Sequence, residues 1–124
     1  MKAPKILIIE DQKDIIKLLV TRLKTAGYEV ATAEDGQAGM REVPLQNPDL
    51  IITDLAMPGM PGNTIVRILK SSVKYKHIPI IMLSAFVHEK MGDGVEVAAD
   101  VYMPKPYQAE ALLAKIKELL PRAI

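Results

Sequence analysis

Three stretches of the chain are apolar at every position: Ile6-Leu7-Ile8-Ile9, Leu50-Ile51-Ile52 and Ile80-Ile81-Met82-Leu83. A strand with one face in water alternates apolar and polar residues. A run with no polar position suits a strand covered on both faces, as in a parallel sheet sandwiched between helices. The runs sit within longer strand-like segments, KILIIE (5–10), DLIIT (49–53) and IPIIMLS (78–84). YEVATA (28–33) and a weaker DVYM (100–103) add two more.

Helical periodicity fills the gaps. Residues 13–26 place Ile16, Leu19, Val20 and Leu23 on one face, and Gly27 ends the helix. Residues 107–120 carry Ala109, Leu112, Leu113, Ile116, Leu119 and Leu120 at spacings of three and four, with Pro121 following. Asn63 is placed to cap a helix over 64–72 with Ile65, Ile68 and Leu69 inward. Residues 36–43 form a weaker helix, because Gly39 in its interior costs about 1 kcal/mol against alanine. The poorest helix is 86–98, interrupted by Gly92-Asp93-Gly94. Strand and helix alternate five times, which predicts a doubly wound α/β sandwich with helices on both faces and ligand sites beyond the carboxyl ends of the strands.

The 124 residues are enough for one domain, residues 1–124, with a substantial core. A net charge of +1 argues against a broad nucleic-acid or membrane-binding surface. The chain has no cysteine, which removes disulfides, thiolate chemistry and sulfur-bound metals. The N-terminal apolar run is too short for a signal peptide, and no later run approaches a membrane span. A cytoplasmic domain is expected.

The polar residues at the strand ends carry the functional signal. The first strand ends in Glu10 and Asp11, the third in Asp54, the fourth in Ser84, and the fifth just before Lys105-Pro106. Each alone is ordinary loop chemistry, but the topology brings all of them to one sheet edge. Three carboxylates gathered there repel, and a hard divalent cation such as Mg²⁺ relieves the repulsion while keeping open positions for water and phosphate oxygens. Lys105 adds a mobile positive charge. Carboxylates, a metal, an ammonium and a hydroxyl suit phosphoryl transfer, in which a carboxylate can itself be the nucleophile.

With those residues in place, the chain resembles a response-regulator receiver domain of bacterial two-component signalling, of the single-domain chemotaxis-regulator kind. The resemblance rests on KILIIEDQKDI, GYEVATAEDG, PDLIITDLAMPGMPG, IPIIMLSA and AADVYMPKPY, in family order across nearly the whole chain. It implies a flavodoxin-like five-stranded parallel sheet of order 2-1-3-4-5. It implies Asp54 as phosphoacceptor, with Mg²⁺ held by Asp11, by Asp54, by the main-chain carbonyl of Ala56 and by Glu10 through water. Ser84 would hydrogen-bond a phosphoryl oxygen. Lys105 would pair with Asp54 before phosphorylation and with the phosphoryl group afterwards. A cis peptide is expected before Pro106, and Tyr102 stands at the switch aromatic. The implied partners are a histidine kinase or phosphotransfer protein, and a downstream protein that reads the face around residues 86–120. The chain would catalyse its own aspartyl phosphorylation and dephosphorylation, as a monomer or a phosphorylation-dependent dimer.

Several positions depart from the commonest family pattern. Glu10-Asp11 stands where many relatives have two aspartates, and Ser84 stands in place of threonine. Ala56 and Phe86 border the site and cannot orient water, so slow self-dephosphorylation is expected. The Gly92-Asp93-Gly94 segment reads either as a variable helix without a role or as a mobile recognition surface. Ile16 fits the apolar face of its helix, which leaves Ile15 partly exposed one turn past Asp11 as a candidate kinase contact. His77 and His88 should face solvent, and Met57 and Met60 should pack under their loop.

Three rival readings fit less well. A flavodoxin needs a glycine- and hydroxyl-rich phosphate loop where this chain has two acids. An aspartate-nucleophile phosphatase would carry Asp-x-Asp after the first strand and a cap insertion. A phosphorylation-independent, receiver-like docking module need not keep all five functional positions filled. The chain reads equally as a stand-alone shuttle or as a receiver cut from a longer protein.

Overall fold

The computed structural model describes residues 3–84, 99–105 and 107–120. The expectations for the 86–98 helix, Phe86, His88, Gly92-Asp93-Gly94 and the cis peptide at Pro106 lie outside the described residues. Along the chain run β1 (Lys5–Ile9), α1 (Lys13–Thr25), β2 (Glu29–Ala33), α2 (Gly36–Gln46), β3 (Leu50–Asp54), α3 (Gly62–Lys70), β4 (Ile80–Ser84), β5 (Val101–Pro104) and α4 (Ala109–Leu119). The strands form one parallel sheet of order β2-β1-β3-β4-β5, as expected.

The unbroken apolar runs divide between two cores because successive strand residues point to opposite faces. Leu7, Ile9, Ile51, Ile80 and Met82 pack with Val43 of α2 and Ile65, Val66 and Leu69 of α3. Ile6, Ile8, Leu50, Ile52, Ile81 and Leu83 pack on the other face with Leu19 and Leu23 of α1 and Leu112 and Ile116 of α4. β3 and β4 are buried along their whole lengths, so polar groups are tolerated only at their ends.

The structure corrects several local expectations. On α1, Ile15 and Ile16 are both half-buried, and it is Ile15 that packs against the α1/α4 core. The buried stripe runs 15-19-23 at steps of four, and Ile16 lies off it. α2 is longer than expected and reaches Gln46. The Asp35 carboxylate caps it by accepting the Ala38 N–H at 2.7 Å. Gly39 is no flaw there, since a Cβ would lie 2.5 Å from Ile9 Cδ1 and would force that side chain or the helix to shift.

α3 starts at Gly62 with Pro61 in the cap position, not at an Asn63 cap. The Gly62 N–H donates to the Leu55 carbonyl at 2.9 Å, so loop backbone does the work expected of a cap side chain. Ile68 is 43 % exposed, and Val66 fills the inward position assigned to it. β5 begins at Val101, and the exposed Asp100 before it lies outside the strand. The Asp100 carboxylate accepts the Ile80 N–H and the Lys70 ammonium, each at 2.8 Å. Met57 is buried, Met60 is half-buried against the core and His77 is exposed, as expected. No described helix is long and apolar enough to cross a membrane.

Candidate functional site

The parallel sheet delivers the strand-end residues to one edge. β1 runs out of the core directly into Glu10 and Asp11, and β3 pairs with it as Ile9↔Thr53, one residue before Asp54. Asp54 pairs with Leu83 of β4, which sets Ser84 one step beyond. Ser84 in turn pairs with Pro104 of β5, and its carbonyl accepts the Lys105 N–H at 3.1 Å. Four strands therefore place five polar side chains around the end of β3.

A carboxylate oxygen from each of Glu10, Asp11 and Asp54 falls within 4.8 Å of the others. Glu10 and Asp54 are buried, while Asp11 is partly exposed. The Lys105 ammonium stands 3.1 Å from Asp54 Oδ2 and 3.2 Å from Glu10 Oε1. The other Glu10 oxygen accepts the Gln12 N–H at 3.0 Å, so both oxygens of this buried acid are engaged. Three acids against one ammonium leave an excess of negative charge facing solvent through Asp11. That donor set fits a hard divalent cation, with oxygen ligands close together and the outer side open to water.

The electrostatics follow from burial. Burial pushes the Glu10 carboxyl above the ordinary carboxylate range, and the Asp54 charge adds to this. The Gln12 N–H and Lys105 oppose the rise without cancelling it. Burial works against the charged form of Lys105, yet Asp54 first and Glu10 second outweigh it and hold the ammonium above its usual value. Tyr107, just beyond the site, is raised by burial and then by the Glu10 charge.

The structure thus brings Glu10, Asp11, Asp54 and Lys105 together, with Ser84 buried at the neighbouring strand end. Ala56 lies exposed two residues beyond Asp54 in the β3–α3 loop. Tyr102 is half-buried against the α2/α3 core, and its phenol oxygen accepts the Ala99 N–H at 3.0 Å. Ile15 lines a groove of about 540 Å³ between α1 and α4, beside the exposed Leu18 and with Lys105 and Tyr107 at its site-facing end. Reading the residues alone missed two features. One is the second pairing of Lys105, to Glu10, across 95 positions of sequence. The other is the Gln12 amide on Glu10, a backbone contact with no side-chain signature.

The sheet order and the acid edge together define a flavodoxin-like α/β domain with a charged, metal-competent site. Within that class, the chain belongs to the response regulator receiver domain family, which it matches over residues 6–117. It is 37% identical to the DNA-binding dual master transcriptional regulator RpaA of Synechocystis, over 96% of this chain and 50% of that protein. The chain spans about half the length of the curated relatives it matches. Among solved structures, the receiver domain of a signal transduction histidine kinase from Syntrophus aciditrophicus superposes with TM-score 0.90 at 32% identity, covering 96% of this chain and 91% of that one. The response regulator TrrA of Thermotoga maritima, solved in complex with Mg²⁺–BeF, gives TM-score 0.84 at 36% identity, covering 97% of this chain and all of that one.

Proposed function

We propose that Asp54 is the phosphoacceptor of this receiver and that Mg²⁺ joins it there. The observation that carries this reading is the ammonium of Lys105 held between two buried carboxylates, 3.1 Å from Asp54, in a cluster with room for a cation. The TrrA complex with Mg²⁺–BeF supports the same chemistry. Asp11, Asp54 and the Ala56 carbonyl would hold the metal directly, and Glu10 through water. When bound, the metal supplies charge neutralisation for the transferring phosphoryl group.

A carboxylate oxygen of Asp54 attacks phosphorus. The bond from phosphorus to the donor breaks, either P–N in a phosphohistidine or P–O in a small phosphodonor, and the donor leaves with the bonding electron pair. The product is a mixed anhydride that water later cleaves. Lys105 shifts from the Asp54 carboxylate to the new phosphoryl oxygens, and its pairing with Glu10 keeps the ammonium near the site. The Ser84 hydroxyl hydrogen-bonds the phosphoryl group, and Tyr102 moves into the space beside β4. The surface toward residues 86–120 changes as a population shift between existing states, and a partner protein reads it.

The donor is a histidine kinase or phosphotransfer protein that contacts Ile15, and the setting is the cytoplasm. Ala56 beside the phosphoryl group disfavours an oriented water, so dephosphorylation is slow. The deciding experiment is incubation with a small phosphodonor, with and without Mg²⁺, read by intact mass. One phosphoryl adduct is expected on the wild type in Mg²⁺ and none on Asp54→Asn. An unmodified wild type would favour a docking module that works without phosphorylation.

A further inference from the structure

The loop 55–61 leaves the phosphoacceptor strand and carries the Ala56 carbonyl, so its resting position determines whether that oxygen can reach a metal. It is held at two points, and at both the contact exists because a side chain is absent. At its exit, a Cβ on Gly62 would run into the Asp54 carbonyl and lie 3.0 Å from Leu55 Cα, while the Gly62 N–H donates to the Leu55 carbonyl at 2.9 Å. At its tip, a Cβ on Gly36 would run into the Met60 carbonyl and lie 2.6 Å from Met60 Cβ. Gly36 is the first residue of α2, and Asp35 caps that helix at Ala38. The same helix seats on β1 through Gly39 against Ile9, the residue before Glu10. α2 therefore touches both halves of the site: the end of β1 that bears the acids and the loop that bears the carbonyl.

We infer that Gly36 is a positioning residue for the metal loop. Its missing side chain lets the loop rest on the α2 N-terminus, and the depth of that rest sets how near the Ala56 carbonyl comes to the acids. This rests on the metal-site reading above. Any side chain at position 36 meets loop backbone, which cannot swing aside as a side-chain tip can, so the loop itself must lift. Outer contacts of this kind commonly govern metal affinity without touching the metal.

The test uses Mg²⁺ alone as ligand, measured by titration calorimetry, with thermal unfolding of the metal-free proteins alongside. Gly36→Ala should weaken Mg²⁺ binding about tenfold. Val43→Ala, a cavity in the core face of the same helix, should lower the melting temperature yet keep wild-type affinity. Wild-type affinity in Gly36→Ala, or an equal loss in Val43→Ala, overturns the inference. Should Gly36→Ala fail to fold, the wild type still decides: Mg²⁺ should shift the Gly36 amide together with those of residues 55–60, and shifts at 55–60 that leave Gly36 unchanged overturn the inference. Amide shifts of the metal-free protein give a readout independent of metal. Changes from Gly36→Ala that reach residues 55–60 support the inference, and changes confined to α2 refute it. A wild type that binds no Mg²⁺ defeats the metal-site reading instead, and the amide shifts still decide the loop contact.

Discussion

Replacing Lys105 with methionine should expose how the acid cluster is held together without a metal. The ammonium is about one-fifth exposed, and it faces two carboxylates that are nearly or fully buried, at 3.1 and 3.2 Å. At an effective dielectric of about 20, each contact is worth about 5 kcal/mol of gross attraction. Most of that offsets the desolvation of the three groups, and breaking a buried pair from one side typically costs about 3–5 kcal/mol. The lower end applies here, because Glu10 keeps the Gln12 N–H and Asp11 opens the cluster to water. Lys105→Met should therefore lose about 3 kcal/mol in chelator near neutral pH, a drop on the order of 10 °C for a chain of this size. Mg²⁺ should return most of the loss by neutralising the same carboxylates. Urea unfolding of both proteins, in chelator and in Mg²⁺, measures the four stabilities. A variant within about 0.5 kcal/mol of wild type in chelator would refute the argument. So would a loss that Mg²⁺ does not reduce, since then the lysine is only filling space.

The pH dependence of the metal-free protein has a definite sign. Glu10 is held above its unfolded value of 4.5, so the folded state keeps a proton that the unfolded state has released. Its contribution is complete below that value and is lost as pH rises through the higher folded pKa, a fall that unfolding titrations between mild acid and neutrality should register. Lys105 acts at the other end: its contribution persists below 10.5 and disappears as pH rises through its raised folded value, so Lys105→Met should flatten the alkaline limb. Gly39→Ala adds a methyl group 2.5 Å from Ile9 Cδ1. Overpacking of about 2 kcal/mol should exceed the helix-propensity gain of about 1, leaving a small net loss in urea. Lys70→Met removes an ammonium that donates to the Lys76 and Ile78 carbonyls and pairs with Asp100. It should lower stability by about 1–2 kcal/mol, and faster amide exchange at Ile80 and Asp100 would locate the loss.

The layout of the site was largely legible before any coordinates. Glu10, Asp11, Asp54, Ser84 and Lys105 all follow strand-like segments, and parallel strands deliver their carboxyl ends to one edge. What could not be read was how those groups pair. Lys105 had two acids within reach, and only the packed sheet shows that it engages both while Gln12 supplies a backbone donor to Glu10. Gly39 read as a weakness in its helix because propensity is a local property, and the Ile9 side chain it accommodates lies thirty positions earlier in sequence.

Runs such as Ile6–Ile9 and Ile80–Leu83, apolar at every step, determined by themselves that their strands are covered on both faces. Such strands require helices on either side and a parallel sheet whose polar ends converge. The inward faces carrying Leu19 and Leu23, Ile65 and Leu69, and Leu112 and Ile116 were legible, but the exact rotation of a helix with adjacent apolar residues was decided only in the tertiary structure. Adjacent apolar residues such as Ile15 and Ile16, or Ile65, Val66 and Ile68, satisfy helical periodicity at several rotations. The sheet surface beneath selects among them: Ile15 and Val66 meet core, and Ile68 meets solvent. The loop beyond Asp54 was settled the same way. Its prolines and glycines announce tight turns, but its height above the site depends on Gly36 and Gly62, where backbone meets backbone and no side-chain pattern records the contact.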